Sequence, residues 1–588
     1  MDKARTIAAD VQAGRTTARQ VIEAALDRIA AYDAVQPQTW ISRPAHEAVL
    51  AAADEVDRRV AAGETLPLAG VPFAVKDNLD VAGLQTTAAC PSFAYTPEQS
   101  AGVVARLQAA GAIVLGKTNL DQFATGLVGA RSPYGAPGCV YNRAYVSGGS
   151  SSGSAVAVAA GLAAFALGTD TAGSGRVPAA FNGLVGLKPT KGRWSTQGLV
   201  PACRSLDCVT VLAADAADAA LIDSVAAGFD PLDPYSRRGT EGAAAFGASF
   251  RFGVPKPSQR QFFGDAESAE LFEAAAERLA AAGGTPVEVD IAPLLEAAKL
   301  LYSGPWVAER TVAVEGLLKA NPGAIHPVVR AILQGGVGVS GVDTFRGLYA
   351  LQEFARQAEG LWDSVDVLLL PTAPTIYRID EVKAEPVALN SNLGFYTNFV
   401  NLLDMSAVAV PAGWRANHTG FGATLVGPAW ADRALLALAE RYEEAAPLPE
   451  APPLDLGARD DTIRLAVVGA HLHGMPLHWQ LTSRDARLAA STTTAPAYCL
   501  YAMANSVPPK PALVHVGPKG AAIAVEVYEV PTAAFGSFVA EVPGPLAIGS
   551  VTLASGEVVK GFVAEPRAID GAEDITHLGG WRPYIARR

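Results

Sequence analysis

Apolar positions recur at helical spacing near the start of the chain, where Ile22, Leu26 and Ile29 share one face and Thr17 with Gln20 makes a capping box. The pattern predicts an amphipathic helix over 17–32, and a second over 44–62 with arginines and acids on its outer face. Unbroken apolar runs then alternate with helical ones: a strand over 66–75 ending at Lys76, a helix over 103–110, a buried strand over 112–115. That alternation predicts an α/β fold with a mixed or mainly parallel central sheet covered by helices on both faces. Between about 210 and 445, alanine-rich helices dominate, with strands at 250–254 and 365–370. Residues 300–314 read as one helix that carries Tyr302 and Arg310, eight residues apart, on the same side. The pattern changes after PLPEAPP at 447–453, a stiff proline-rich linker. Short β-rich runs follow at 464–468, 512–516, 522–530, 551–553 and 558–563, with Ser555 and Gly556 at a hairpin turn. The expected organisation is a large domain over 1–446, a linker over 447–461 and a smaller domain over 462–588.

Composition narrows the class. The 588 residues are too many for one ordinary domain, and with 50% hydrophobic and 18% charged residues a large core is expected rather than disorder. A net charge of −12 argues against a nucleic-acid partner. Five cysteines give no disulfide framework, and neither Cys203 with Cys208 nor His471, His473 and His478 makes a standard zinc set, so no metal is expected. The N-terminus lacks an apolar signal core, and the apolar run at 155–167 is interrupted by Gly161 and too short for a membrane span. A soluble, cytoplasmic protein is the expectation.

The candidate chemistry lies in residues 146–178, VSGGSSSGSAVAVAAGLAAFALGTDTAGSGRVP. Two glycine- and serine-rich loops flank a run of small apolar residues, so a short helix and a buried strand can pack closely while backbone N–H groups crowd around one point. Neither a G-x-x-x-x-G-K-[ST] string nor a G-x-G-x-x-G helix start occurs there, which removes the nucleotide readings. Ser150, Ser151, Ser152, Ser154 and Ser174 bring hydroxyls to the loops. Alone, Lys76 beside Asp77 reads as a surface ion pair; beside loops that need a base, a buried lysine that sheds its proton can take one from a serine. Lys188 and Lys191 read as solvated lysines on a turn. Of the eight histidines only His46, His326 and His418 precede residue 446, none in a motif that builds a Ser-His-Asp triad.

GGSSSGSAVAVAAG followed by GTDTAGSGRVP, with GVPFAVKDNLD upstream, resembles the amidase signature family of serine hydrolases. The resemblance covers about residues 40–215 and implies a Ser–cis-Ser–Lys triad of Ser174, Ser150 and Lys76, with a cis non-proline bond at Ser150. It further implies an oxyanion site from the N–H groups of Thr171, Ala172, Gly173 and Ser174, a pocket wall over 126–134 including Gly126, and no cofactor. Ser152 and Ala172 depart from the broad family and match its allophanate hydrolase subgroup. In that subgroup a tyrosine and an arginine at the spacing of Tyr302 and Arg310 bind the substrate carboxylate, although a structural role on the helix remains the other reading of that pair. The subgroup also implies a γ-glutamylcyclotransferase-like α+β domain at the C-terminus, in which His471 serves a decarboxylation step or the domain only stabilises. Glu526 and Glu529 are expected at the same cavity, although the outward face of a strand is the simpler account of at least one of them.

The implied substrate is allophanate, supplied by a separate biotin-dependent urea carboxylase, since the chain has no AMKM biotin string. A homodimer through the helices before residue 62 is expected. The alternatives are a general amidase, the amidase component of a tRNA-dependent amidotransferase, or a non-catalytic scaffold.

Overall fold

The computed structural model divides into two units, Met1–Asp455 and Leu456–Arg588. It describes residues 1–239, 242, 245–456, 462–484, 486–504 and 506–587, so the last part of the expected linker, 457–461, lies outside the described residues.

The first unit is built on an eleven-stranded mixed sheet in the order Trp40–Ser42, Ile113–Thr118, Pro72–Lys76, Phe165–Asp170, Cys208–Ala213, Val185–Lys188, Ser406–Trp414, Gly420–Gly427, Val367–Pro371, Phe250–Pro255 and Gly284–Val289. Pro72–Lys76 runs parallel to both its neighbours, the middle of the sheet is antiparallel, and the far edge is parallel again. Every residue of Pro72–Lys76 and Phe165–Asp170 is buried, as expected of unbroken apolar runs covered on both faces. Because these two strands are parallel, their C-terminal ends, Lys76 and Asp170, open on the same edge of the sheet, where sites in α/β folds form.

The helix Ser152–Ala159 lies against the buried strands and has no polar face; its residues from Ser152 to Val158 are all buried. The small side chains allow a very close approach. A Cβ at Gly153 would come 2.6 Å from the Asn119 backbone nitrogen. The serine hydroxyls of this region disperse instead of converging: Ser151 donates to the Thr169 carbonyl, Ser152 to the Asn119 carbonyl and Ser154 to the Leu167 carbonyl. Lys188 is also unlike its expectation. It is fully buried, with Nζ 2.7 Å from the Pro189 carbonyl and 3.6 Å from Cys208 Sγ, because Val185–Lys188 is an inner strand and not a turn.

The amphipathic start of the chain forms as its periodicity predicts, with helices Ala18–Asp33 and His46–Ala61 and a Thr17/Gln20 capping box. The proline-rich stretch stays on this unit: the Pro449 carbonyl accepts from Trp414 Nε1, and the Asp455 carboxylate accepts from the Arg143 N–H. The second unit has a five-stranded sheet, Arg487–Thr493, Ala524–Pro531, Thr462–Val467, Val558–Ala564 and Leu546–Thr552, and a three-stranded one. Its core gathers Leu465, Val467, Tyr528, Phe538, Phe562 and Trp581.

Candidate active site

Lys76 ends its strand with no exposure to solvent, and its Nζ lies 2.7 Å from both Ser150 Oγ and Thr169 Oγ1. The neighbouring acid is committed elsewhere: Asp77 pairs with Lys117 at 3.0 Å, and both are fully buried. Burial therefore pulls the Lys76 ammonium down to about 7, against the opposing fields of Asp121, Asp207 and Asp170.

Ser150 follows a cis Gly149–Ser150 bond. Its carbonyl accepts from the Asp121 N–H at 3.2 Å, and the N–H of Ser151 donates to the Ser174 carbonyl at 3.3 Å, so the two serine loops are stitched together at this point. The Ser174 hydroxyl donates to the Gly126 carbonyl at 3.4 Å.

The loop before Ser174 is held by two buried acids. The Asp170 carboxylate accepts from the N–H groups of Gly173 at 2.7 Å and Gly175 at 3.2 Å, and pairs with Arg176 at 2.9 Å. Burial alone would raise the Asp170 carboxyl, but Arg176 holds it below its ordinary value. Asp207 accepts from the Thr171 hydroxyl and from the Ala202 N–H at 2.8 Å, and burial lifts it to about 6. The oxyanion set expected from the sequence is therefore altered. The Gly173 N–H is taken by Asp170, which leaves those of Thr171, Ala172 and Ser174, for which no acceptor occurs among the described residues. Ala172 belongs to a buried apolar cluster with Cys203, Leu206, Leu301, Trp306, Leu351 and Leu402.

Tyr302 and Arg310 do not share a helix. Ala292–Ser303 ends before Gly304 and Pro305, and a new helix, Trp306–Val312, begins after them. The two side chains still meet, with the Arg310 guanidinium 5.5 Å from the centre of the Tyr302 ring. Arg310 is 3% exposed, makes no salt bridge among the described residues, donates to Thr125 Oγ1 at 3.4 Å and leaves Nε without a partner. A second guanidinium lies close by, one that the sequence motifs do not point to. Arg131, 2% exposed, donates to the Thr125 carbonyl at 3.0 Å and to the Pro386 carbonyl, and its Nε is also unpartnered. The turn at Thr125 and Gly126 thus touches both arginines and the Ser174 hydroxyl. Two buried guanidinium groups without a carboxylate are costly unless an anion arrives to meet them.

Thr169, Asp121 and Asp207 are further residues of the site that sequence reasoning missed. Only Asp207 had a local signal, an acid in the run at 206–213 whose other residues are apolar save Thr210; Arg131 sits in a glycine- and proline-rich loop whose composition implies exposure.

In the second unit, His471 lines a cavity of about 230 Å³ with Gln480, Lys510 and Phe562. Its Nε2 lies 2.7 Å from Gln480 Oε1, its ring stacks on Phe562 at 4.9 Å, and burial lowers its pKa. Glu526 and Glu529 do not line this cavity. Glu526 instead accepts from the His473 N–H, the Tyr528 hydroxyl and Arg582.

This sheet, the paired serine loops and the buried lysine are the architecture of an amidase. Residues 20–436 match the Amidase family, and the chain belongs to it. Residues 463–586 match the allophanate hydrolase C-terminal domain. The urea amidolyase of Saccharomyces cerevisiae is 47% identical over 547 residues, 89% of this chain and 30% of that protein, so the chain spans under a third of that relative's length. The structure of Kluyveromyces lactis allophanate hydrolase superposes with a TM-score of 0.71 at 43% identity, covering 98% of this chain and 97% of that one. The native peptide amidase of Stenotrophomonas maltophilia superposes with a TM-score of 0.65 at 28% identity, covering 77% of this chain and 98% of that one.

Proposed function

We propose that this chain is an allophanate hydrolase: it hydrolyses the terminal amide of allophanate and releases ammonia in urea degradation. The observation that carries this reading is Arg310, buried and without a carboxylate, one dipeptide away from the Ser174 hydroxyl. The subgroup's C-terminal match and the likeness to the K. lactis enzyme support it.

Neutral Lys76 takes a proton from Ser150 while Ser150 takes one from Ser174, and Ser174 Oγ attacks the amide carbonyl. The N–H groups of Thr171, Ala172 and Ser174 stabilise the oxyanion. The relay returns its proton to the departing nitrogen, the C–N bond breaks, and ammonia leaves. Water then adds to the acyl-enzyme by the same relay. Arg310, with the Tyr302 ring against it, holds the substrate carboxylate, and Gly126 lines the passage between clamp and nucleophile. The product, N-carboxycarbamate, loses carbon dioxide at the His471 cavity or in solution, and the carbamate that remains splits into ammonia and carbon dioxide, for two ammonia and two carbon dioxide overall. The chain works in the cytoplasm as a homodimer, downstream of a biotin-dependent urea carboxylase on another chain.

Ammonia release from allophanate, malonamate and a neutral amide tests this directly. Ser174→Ala is expected to abolish all turnover, and Arg310→Ala to lower kcat/KM for the two carboxylates by ~100-fold or more, as loss of one partner of a buried charge pair does. Equal cleavage of neutral amides, with Arg310→Ala indifferent, would leave a general amidase.

A further inference from the structure

The helix Trp306–Val312 carries Arg310, but it begins after Gly304 and Pro305, so continuity with Ala292–Ser303 does not fix its rotation. On one side the Thr311 hydroxyl donates to the Leu333 carbonyl at 2.8 Å, which ties the helix to Pro327–Gly336 and not to the catalytic loops. On another side lies Glu309. Adjacent on the helix, Glu309 and Arg310 point in different directions, so one can be gripped while the other faces the pocket. The Ser205 N–H and the Ser205 hydroxyl each donate to a separate oxygen of the Glu309 carboxylate, both at 2.7 Å. Two bonds to one half-buried carboxylate fix its direction as well as its distance. The Cys203 thiol adds a contact to the Trp306 carbonyl at 3.5 Å.

Ser205 sits in a turn that closes on itself. The N–H groups of Leu206 and Asp207 donate to the Cys203 carbonyl at 2.8 and 2.9 Å, and the buried Asp207 carboxylate accepts from the N–H groups of Ala202 and Cys203 at 2.8 and 3.2 Å. The same carboxylate accepts from the Thr171 hydroxyl, and Asn401 Nδ2 donates to the carbonyls of both Asp170 and Leu206. Residues 202–207 therefore reach from the loop before Ser174 to the helix of Arg310. On the reading of Arg310 as the group that holds the substrate carboxylate, we propose that Ser205 and Glu309 are positioning residues: their contact sets the rotation at which Arg310 meets the substrate, measured from the nucleophile's own loop. Charge alone would have the opposite sign. An acid beside the clamp repels an incoming carboxylate, so Glu309→Gln would tighten binding if only the charge counted. An acid that holds the helix in place weakens binding when it is lost.

Steady-state ammonia release from malonamate by the full chain, with thermal melts alongside, tests this assignment. Glu309→Gln and Ser205→Ala are each expected to raise KM ~10-fold with kcat little changed, since small misplacements of a binding group are costly. The double variant is expected to be no worse than the worse single, because both changes remove one contact. Ser205→Thr keeps both donors and is expected to match the wild type. Arg310→Ala, measured in parallel, separates the two readings. If it leaves KM unchanged, the clamp is gone and the positioning role falls with it. If it raises KM while Glu309→Gln and Ser205→Ala leave KM unchanged or lower it, only the positioning role is overturned. A loss of kcat and melting temperature without a rise in KM, or singles whose effects multiply in the double variant, would overturn it equally.

Discussion

An amine with two hydroxyls at 2.7 Å and no carboxylate in contact has little to hold its proton, and Lys76 is in that position. Its pKa of about 7 gives the pH behaviour a sign: the protonated amine cannot accept from Ser150, so kcat/KM falls ~10-fold per pH unit below the pKa and is level above it. Initial rates of ammonia release across that range check this, and a flat profile down to acid pH would remove Lys76 as the base. Arg131 gives a second expectation. Arg131→Lys keeps the charge but loses the fork that binds two carbonyls at once, so KM for malonamate is expected to rise ~10-fold while neutral amides change little. At this scale three ordered motifs in the sequence pointed to Lys76, Ser150 and Ser174 as the proposed triad. It did not reveal Arg131, because burial of a loop arginine depends on what folds over the loop.

Among the elements, those set by local periodicity were legible and those set by tertiary packing were not. The Thr17 capping box and the apolar stripe of Ala18–Asp33 are written in adjacent residues. The break at Gly304 and Pro305 was written there too, yet the eight-residue spacing of Tyr302 and Arg310 invited a single helix; the turn brings them together by another route. The loop before Ser174 leaves no room for change at one position. Gly173 has φ of +125° and its Cα faces Thr397, so Gly173→Ala is both strained and crowded. The variant is expected to lose about 1–3 kcal/mol of stability and, because the loop must shift, most of its kcat. Thermal melts beside ammonia assays separate the two losses; unchanged kcat would mean that the loop's shape is irrelevant to catalysis.

Across the whole molecule, each unit has its own core, and the change from helical to β-rich patterning after the proline-rich stretch made that division legible. On the proposed reading the chemistry divides in the same way. His471→Ala is expected to leave the first ammonia release from allophanate unchanged while slowing the appearance of carbon dioxide, followed by paired ammonia and carbon dioxide time courses. Identical time courses for both products would give the second unit a stabilising role only. The order of the strands in the large sheet was beyond sequence reasoning, since it rests on pairings between residues far apart in the chain, such as Ala407 with Lys188.

On the proposed reading, one dipeptide, Thr125 and Gly126, spans the gap between the carboxylate clamp and the nucleophile, and it makes the site a ruler. A substrate is measured by the distance from its acid to its amide before its electronic character matters. Malonamate has the length of allophanate and should be cut. Succinamate, one methylene longer, carries the same two groups and should be cut ~10–100-fold less efficiently, because anchoring one end carries the other past Ser174.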